Sequence, residues 1–152
     1  ADRVSVALRR AGFTAWSAEN VVESVWAKLI VNAGINALTA LTGLVNGRLP
    51  DVPGAHAVLE RVVAEAAEVA EAKGVKLPYA DPLDKVIQVC RATSTNVASM
   101  LQDVIHHRVT EVDAINGAIV REGRALGIPT PANEVMAGLV GALQETYAER
   151  IR

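Results

Sequence analysis

Three polar residues stand out first. Lys28, Asn32 and Asn36 recur every fourth position in Trp26–Leu41 (WAKLIVNAGINALTAL), a stretch otherwise nearly all apolar. At 3.6 residues per turn, steps of four keep them on one helix face, drifting about 40° per step. A helix apolar nearly all round belongs in the middle of a domain. An ammonium and two amides on such a helix need partners, because an unpaired buried polar group costs about 1–3 kcal/mol. The plain alternative is that Lys28 snorkels to solvent and the asparagines bond nearby backbone. Against it, Asn is a poor helix former, and two in register call for a reason.

Other polar clusters follow. Asn96 and Ser99 are spaced to share a face at a helix start, where ordinary capping would also explain them. Glu111, in Thr110–Gly117 (TEVDAING), suits a first helical turn by the helix dipole alone. Asn46, before Gly47, suits simple turn chemistry. The three histidines, at 56, 106 and 107, have no carboxylate or cysteine at ligand spacing, so no metal is expected. No nucleophile elbow, phosphate loop or GxGxxG occurs. Spacing alone reaches a polar, metal-free site among helices.

The elements that must carry these residues are legible from punctuation. Ser17 is expected to cap a helix over about Ala18–Leu41, stopped by Thr42-Gly43. Helices are expected over about Ala55–Lys73 (closed by Gly74), Pro82–Ala92, Asn96–His107, Glu111–Leu126 (capped by Thr110, with Asp113 completing an approximate capping box) and Pro131–Arg150 (capped by Thr130). No repeat and no alternating strand pattern of useful length is present. The fold class is all-α.

Composition agrees. In 152 residues the hydrophobic share is 51% but aromatics are only 3%, so Ala, Val, Leu and Ile carry the core, as closely packed helices require. A net charge of −2 gives no attraction to nucleic acid or anionic membranes. The lone Cys90 allows no internal disulfide, and no charge-free stretch reaches membrane-spanning length. No signal peptide opens the chain, and the sequence reads as soluble and cytoplasmic.

Together the segments Trp26-Ala27-Lys28-Leu29 with Asn32 and Asn36, Ser99–Asp103 (SMLQD), Arg108–Gly117 (RVTEVDAING) and Gly127–Asn133 (GIPTPAN) resemble ketopantoate reductase (2-dehydropantoate 2-reductase), specifically its C-terminal helical domain. Order and separations fit over about Ala18–Tyr147. The resemblance implies a fold like the 6-phosphogluconate dehydrogenase C-terminal domain. It implies that Lys28 is the general acid that protonates the ketone oxygen, and that Asn32, Asn36, Asn46, Asn96 and Ser99 bind substrate. Glu111 would contact the nicotinamide-side ribose and bound substrate. Partial burial of Lys28 would favour its neutral form, which Glu111 would oppose.

The resemblance further implies NADPH as cofactor, ketopantoate and pantoate as substrate and product, and a homodimer. It also implies a preceding Rossmann domain whose GxGxxG holds the cofactor phosphates. No such fingerprint lies in this chain. Residues 1–16 are accordingly read as the tail of a linker from that domain, and 17–152 as the helical substrate-binding domain, inactive alone. Ala98, where the family commonly has a serine, is a small departure. Two alternatives stay open: the same scaffold reducing another 2-oxo acid, or a helical dimerisation module without catalysis.

Overall fold

Asn20, in extended conformation, accepts a hydrogen bond from the Val22 amide at 3.1 Å and starts the central helix α2 (Val21–Thr42). This computed structural model describes residues 2–15 and 20–149. Ser17, the expected cap, lies outside the described residues, as does Trp16. Gly43, at φ 71°, ends α2 in the left-handed conformation and donates to Thr39 O at 2.8 Å. Before α2 stands α1 (Asp2–Arg10), which leaves Val4, Val6 and Leu8 exposed; residues 13–15 have no regular structure.

After α2 come a 3-10 segment (Asn46–Asp51), α3 (Pro53–Ala72), α4 (Pro82–Ala92), α5 (Ser99–Ile105), a π-helical turn (Asp113–Gly117) that runs into α6 (Ala118–Leu126), α7 (Pro131–Glu145) and a closing 3-10 turn (Tyr147–Glu149). No strand occurs among the described residues. The all-α expectation holds.

Helix α2 packs against α3, α4, α5, α7 and the π turn, and so forms the middle of the domain. Its side toward α3 and α4 is marked by Gly34. A Cβ there would meet Val63 Cγ2 at 2.9 Å and Val86 Cγ1 at 3.3 Å. Leu59, Val63, Val86 and Ile30 are at most 1% exposed around this contact. By length and apolarity α2 could cross a membrane, but 56% of its apolar window is buried against protein. Buried Cys90 has its thiol pushed up to about 11 by desolvation, which keeps it protonated and unreactive at neutral pH.

The first expected helix starts at Val21 and not at Ala18, the last ends at Glu145 short of Arg150, and three expected helix starts or caps also need correction. The fourth helix does not begin at Asn96. Its amide bonds Thr93 O (2.9 Å) and its carbonyl accepts from Asn46 N (3.1 Å), so its backbone is committed to a turn and the helix waits until Ser99. Thr110 does accept from Val112 N, at 3.4 Å, but its hydroxyl also donates to Gln144 of α7 at 2.9 Å. Asp113 forms no capping box: it pairs with Arg121 at 2.7 Å, across the π turn. Thr130 makes no side-chain cap on α7. Glu65 of α3 caps it instead, accepting from Ala132 N (2.7 Å) and Asn133 N (2.9 Å).

Candidate active site

Asn32 and Asn36 sit two residues either side of Gly34, about 200° round the helix, so they lie on the side of α2 away from α3 and α4. Depth changes along this stripe: Lys28 is exposed, Asn32 half-buried and Asn36 buried. The first turns of α2 project from the core, with Val21, Val22 and Val25 each more than half exposed. The burial expected for Lys28 is therefore not supplied by the described residues. Periodicity reports which way a residue faces, but not how far along its helix the core extends.

Two segments are strapped together beside this helix. Asn46 N donates to Asn96 O and Gly47 N to Ser94 O, both at 3.1 Å, while Asn46 Nδ2 donates to Thr93 Oγ1 at 3.0 Å. From α4, Arg91 forks onto Asp51 at 2.7 and 3.0 Å and donates to Gly47 O at 3.2 Å. That guanidinium holds the exposed Asp51 carboxyl below the usual carboxylate range. The strap brings Asn46 and Asn96 into contact and sets the start of α5, where Ser99 is exposed while Met100, Leu101 and Val104 turn inward. Helix α5 packs on α2.

Close approach in the strap requires a glycine. A Cβ on Gly47 would lie 2.7 Å from Ser94 Cα and 2.9 Å from Ser94 O, which are backbone atoms that cannot rotate away. Gly47→Ala is expected to cost about 1–3 kcal/mol through overpacking, read as a lowered thermal midpoint. An unchanged midpoint would mean that residues 93–96 move freely.

Among the described residues, the side chains of Lys28, Asn32, Asn36, Ser99 and Glu111 form no hydrogen bond or ion pair with one another or with neighbours. Asn46 Oδ1 is buried without a partner among the described residues. A buried amide oxygen normally finds a partner, so this one is open to something other than this chain. The structure does not gather all seven residues into one cavity. Lys28 lines a depression of about 510 Å³ with Ala27, Val31, Pro78, Tyr79, Lys85 and Gln88, and none of the other six lines it. Glu111 is exposed just ahead of the π turn.

The spacing of polar residues gave no role to a buried polar chain that backs this face. Asn116 Nδ2 donates to Ala33 O of α2 (3.3 Å) and to Asn133 Oδ1 (3.1 Å). Asn133 Nδ2 in turn donates to Val62 O (3.1 Å) and Glu65 (2.7 Å). The available signal was position: Asn133 falls in register with buried Met136 and Val140, and Asn116 lies beside Ile115 and Ile119.

Comparison with known proteins places this geometry. Residues 20–144 match the family described as "Ketopantoate reductase PanE/ApbA C terminal". The chain is 41% identical over 135 residues to a 2-dehydropantoate 2-reductase of Pyrobaculum aerophilum, covering 89% of this chain and 48% of that protein. The crystal structure of a PanE/ApbA family ketopantoate reductase from Ralstonia eutropha superimposes with a TM-score of 0.91 at 37% identity, over 97% of this chain and 49% of that one. D-mandelate dehydrogenase, solved with NADH and anilino(oxo)acetate, gives 0.84 at 29% identity, over 96% and 48%. The chain thus spans about half the length of the relatives it matches.

Proposed function

The chain belongs to the ketopantoate reductase C-terminal family, and on that premise we propose that it is the substrate-binding domain of an NADPH-dependent 2-dehydropantoate 2-reductase. The reaction is reduction of ketopantoate to pantoate, for pantothenate and coenzyme A. The observation that carries this reading is an ammonium followed along one helix face by amides without protein partners. Such a face fits a polyoxygenated acid, because each amide offers both a donor and an acceptor.

The described residues include no strand and no glycine-rich turn entering a helix, so dinucleotide phosphates find no cradle in them. Glu111, exposed and without an ion pair among the described residues, suits the hydroxyls of a ribose. A reduced nicotinamide, held mainly by a preceding Rossmann domain, supplies the hydride. The remaining work falls to this chain. As the ketone carbon is reduced, its oxygen takes on alkoxide charge. The Lys28 ammonium stabilises that charge and passes its proton to the oxygen. Exposure then lets neutral Lys28 regain a proton from water. Asn32, Asn36, Asn46, Asn96 and Ser99 hold the hydroxyl, carbonyl and carboxylate groups in place.

A second reading keeps scaffold and mechanism but reduces another 2-oxo acid. The likeness to D-mandelate dehydrogenase favours it, since that enzyme was solved with anilino(oxo)acetate, a bulkier oxo acid. Assay of the full-length protein with NADPH or NADH and a panel of 2-oxo acids separates the two. We expect kcat/KM to favour ketopantoate by about tenfold or more, as loss of one matched polar contact commonly produces. Equal or better turnover of benzoylformate would sustain the second reading. Turnover of none would leave a non-catalytic dimerisation module. A homodimer is part of the proposal, with exposed Val135 and Leu139 of α7 supplying apolar surface.

A further inference from the structure

The buried amide chain has a direction set by chemistry. Glu65 can only accept when ionised, so the side of Asn133 that meets it must be Nδ2. That leaves Asn133 Oδ1 pointing at Asn116, which must therefore donate. The Asn116 amide is turned so that its Nδ2 also meets Ala33 O at 3.3 Å. Its own Oδ1 is left buried with no partner among the described residues. Both asparagines are 0% exposed. An orphaned acceptor in a core is a cost that an apolar residue would avoid, and such a group calls for an explanation.

The two ends of the Asn116 contact supply one. Ala33 lies between Asn32 and Asn36, the two amides of the substrate-facing stripe. Asn116 itself belongs to the π turn Asp113–Gly117, which follows directly on Glu111 and Val112. A π turn is an uncommon form of helix that recurs at functional sites. Here it lets one buried side chain reach across to another helix's backbone.

We infer that Asn116 is a positioning residue: by donating to Ala33 O it locks the substrate-binding turn of α2 to the segment that presents Glu111. The two walls of the site then keep a fixed spacing. Glu65 and Asn133, from α3 and α7, hold the Asn116 amide in its donating orientation. This inference rests on the reading of Asn32, Asn36 and Glu111 as site residues.

The test uses full-length protein and three forms: wild type, Asn116→Leu and Val140→Ala. Val140 is 0% exposed in α7 and outside the amide chain, so its truncation shows what core destabilisation alone does. For Asn116→Leu we expect kcat/KM for the 2-oxo acid to fall about ten- to a hundredfold, carried mainly by KM, as small misplacement of a binding wall does. Val140→Ala should leave KM within about twofold while lowering the thermal midpoint. Hydrogen exchange should also quicken at amides 36–38 and 111–117 in Asn116→Leu more than in Val140→Ala. If Asn116→Leu does not fold, Asn116→Ser replaces it with the same expectations. KM and exchange in the Asn116 variant no different from Val140→Ala would overturn the inference. Should the wild-type protein reduce no 2-oxo acid, the proposed function falls on that result, and the exchange comparison alone decides whether Asn116 couples the two segments.

Discussion

Lys28→Ala in the full-length protein is expected to lower kcat by roughly two to four orders of magnitude, the usual range for removing a positioned general acid, with no loss of folded protein. The second half of that expectation comes from the structure. Lys28 is exposed and makes no ion pair or hydrogen bond with another described residue, so its removal leaves no partner stranded. Surface substitutions of this kind usually change stability by less than about 0.5 kcal/mol. Lys28→Arg sharpens the test. Arginine keeps the charge that attracts a carboxylate substrate, yet its guanidinium holds its proton too tightly to be a ready donor. Its KM should stay near wild type while kcat falls. A Lys28→Ala rate within a few-fold of wild type would remove the proton-donor role altogether.

The exposure of Lys28 also bears on how catalysis and fold divide the labour. The stripe on α2 descends from solvent at Lys28 to the core at Asn36. On the proposed reading, the proton donor Lys28 is thus left on an open face, while the substrate-binding amide of Asn36 is backed by packed helices. A site of this shape is half of an enclosure. The proposed function calls for another surface to close over the first turns of α2, where Val21, Val22 and Val25 are exposed, and to exclude water there. Closure of that kind strengthens the ammonium's interaction with a developing alkoxide.

Local chemistry explains where the sequence could be read correctly. Pro82–Ala92 was bounded by a proline at its first turn and an acidic cap, Asp81, whose carboxylate accepts from Asp84 N at 3.0 Å. Gly43 ended α2 through a bond four residues back. Such signals lie within one turn of the residue they control. The misplaced features were decided at a distance. Asn96 was kept out of a helix by a bond to Asn46, fifty positions earlier in the chain. The cap of α7 came from Glu65 in place of the adjacent Thr130. The π turn had no pattern of its own in TEVDAING, since its buried Asn116 answers to Ala33 O on another helix. The candidate site was legible as a set of residue types on one helix face plus three loops. Their mutual placement was not, because it depends on the strap between residues 46–47 and 93–96 and on the buried amide chain.

Glu65 carries the largest expected effect on stability. Its carboxylate accepts three bonds: from Ala132 N at 2.7 Å, Asn133 N at 2.9 Å and Asn133 Nδ2 at 2.7 Å. Two of these satisfy the first turn of α7, whose own Thr130 makes no side-chain cap. Glu65→Ala leaves three donors, one of them on a side chain that is 0% exposed. Each unsatisfied buried donor costs about 1–3 kcal/mol, and a lost cap about 1 kcal/mol. The part-buried amides can turn to water, so the sum is not the full three-fold penalty; about 3 kcal/mol is expected. For a domain of this size that corresponds to a fall in Tm of roughly 6–12 °C. Glu65→Gln should recover only part of the loss, because one carboxylate oxygen becomes an amide that faces donors. Glu68→Ala, one turn further along α3 and making no hydrogen bond to another described residue, provides the control and should leave Tm within about 2 °C. If Glu65→Ala and Glu68→Ala melt together, then Glu65 is not what holds α7 and Asn133 in place, nor what keeps the Asn116 amide in its donating orientation.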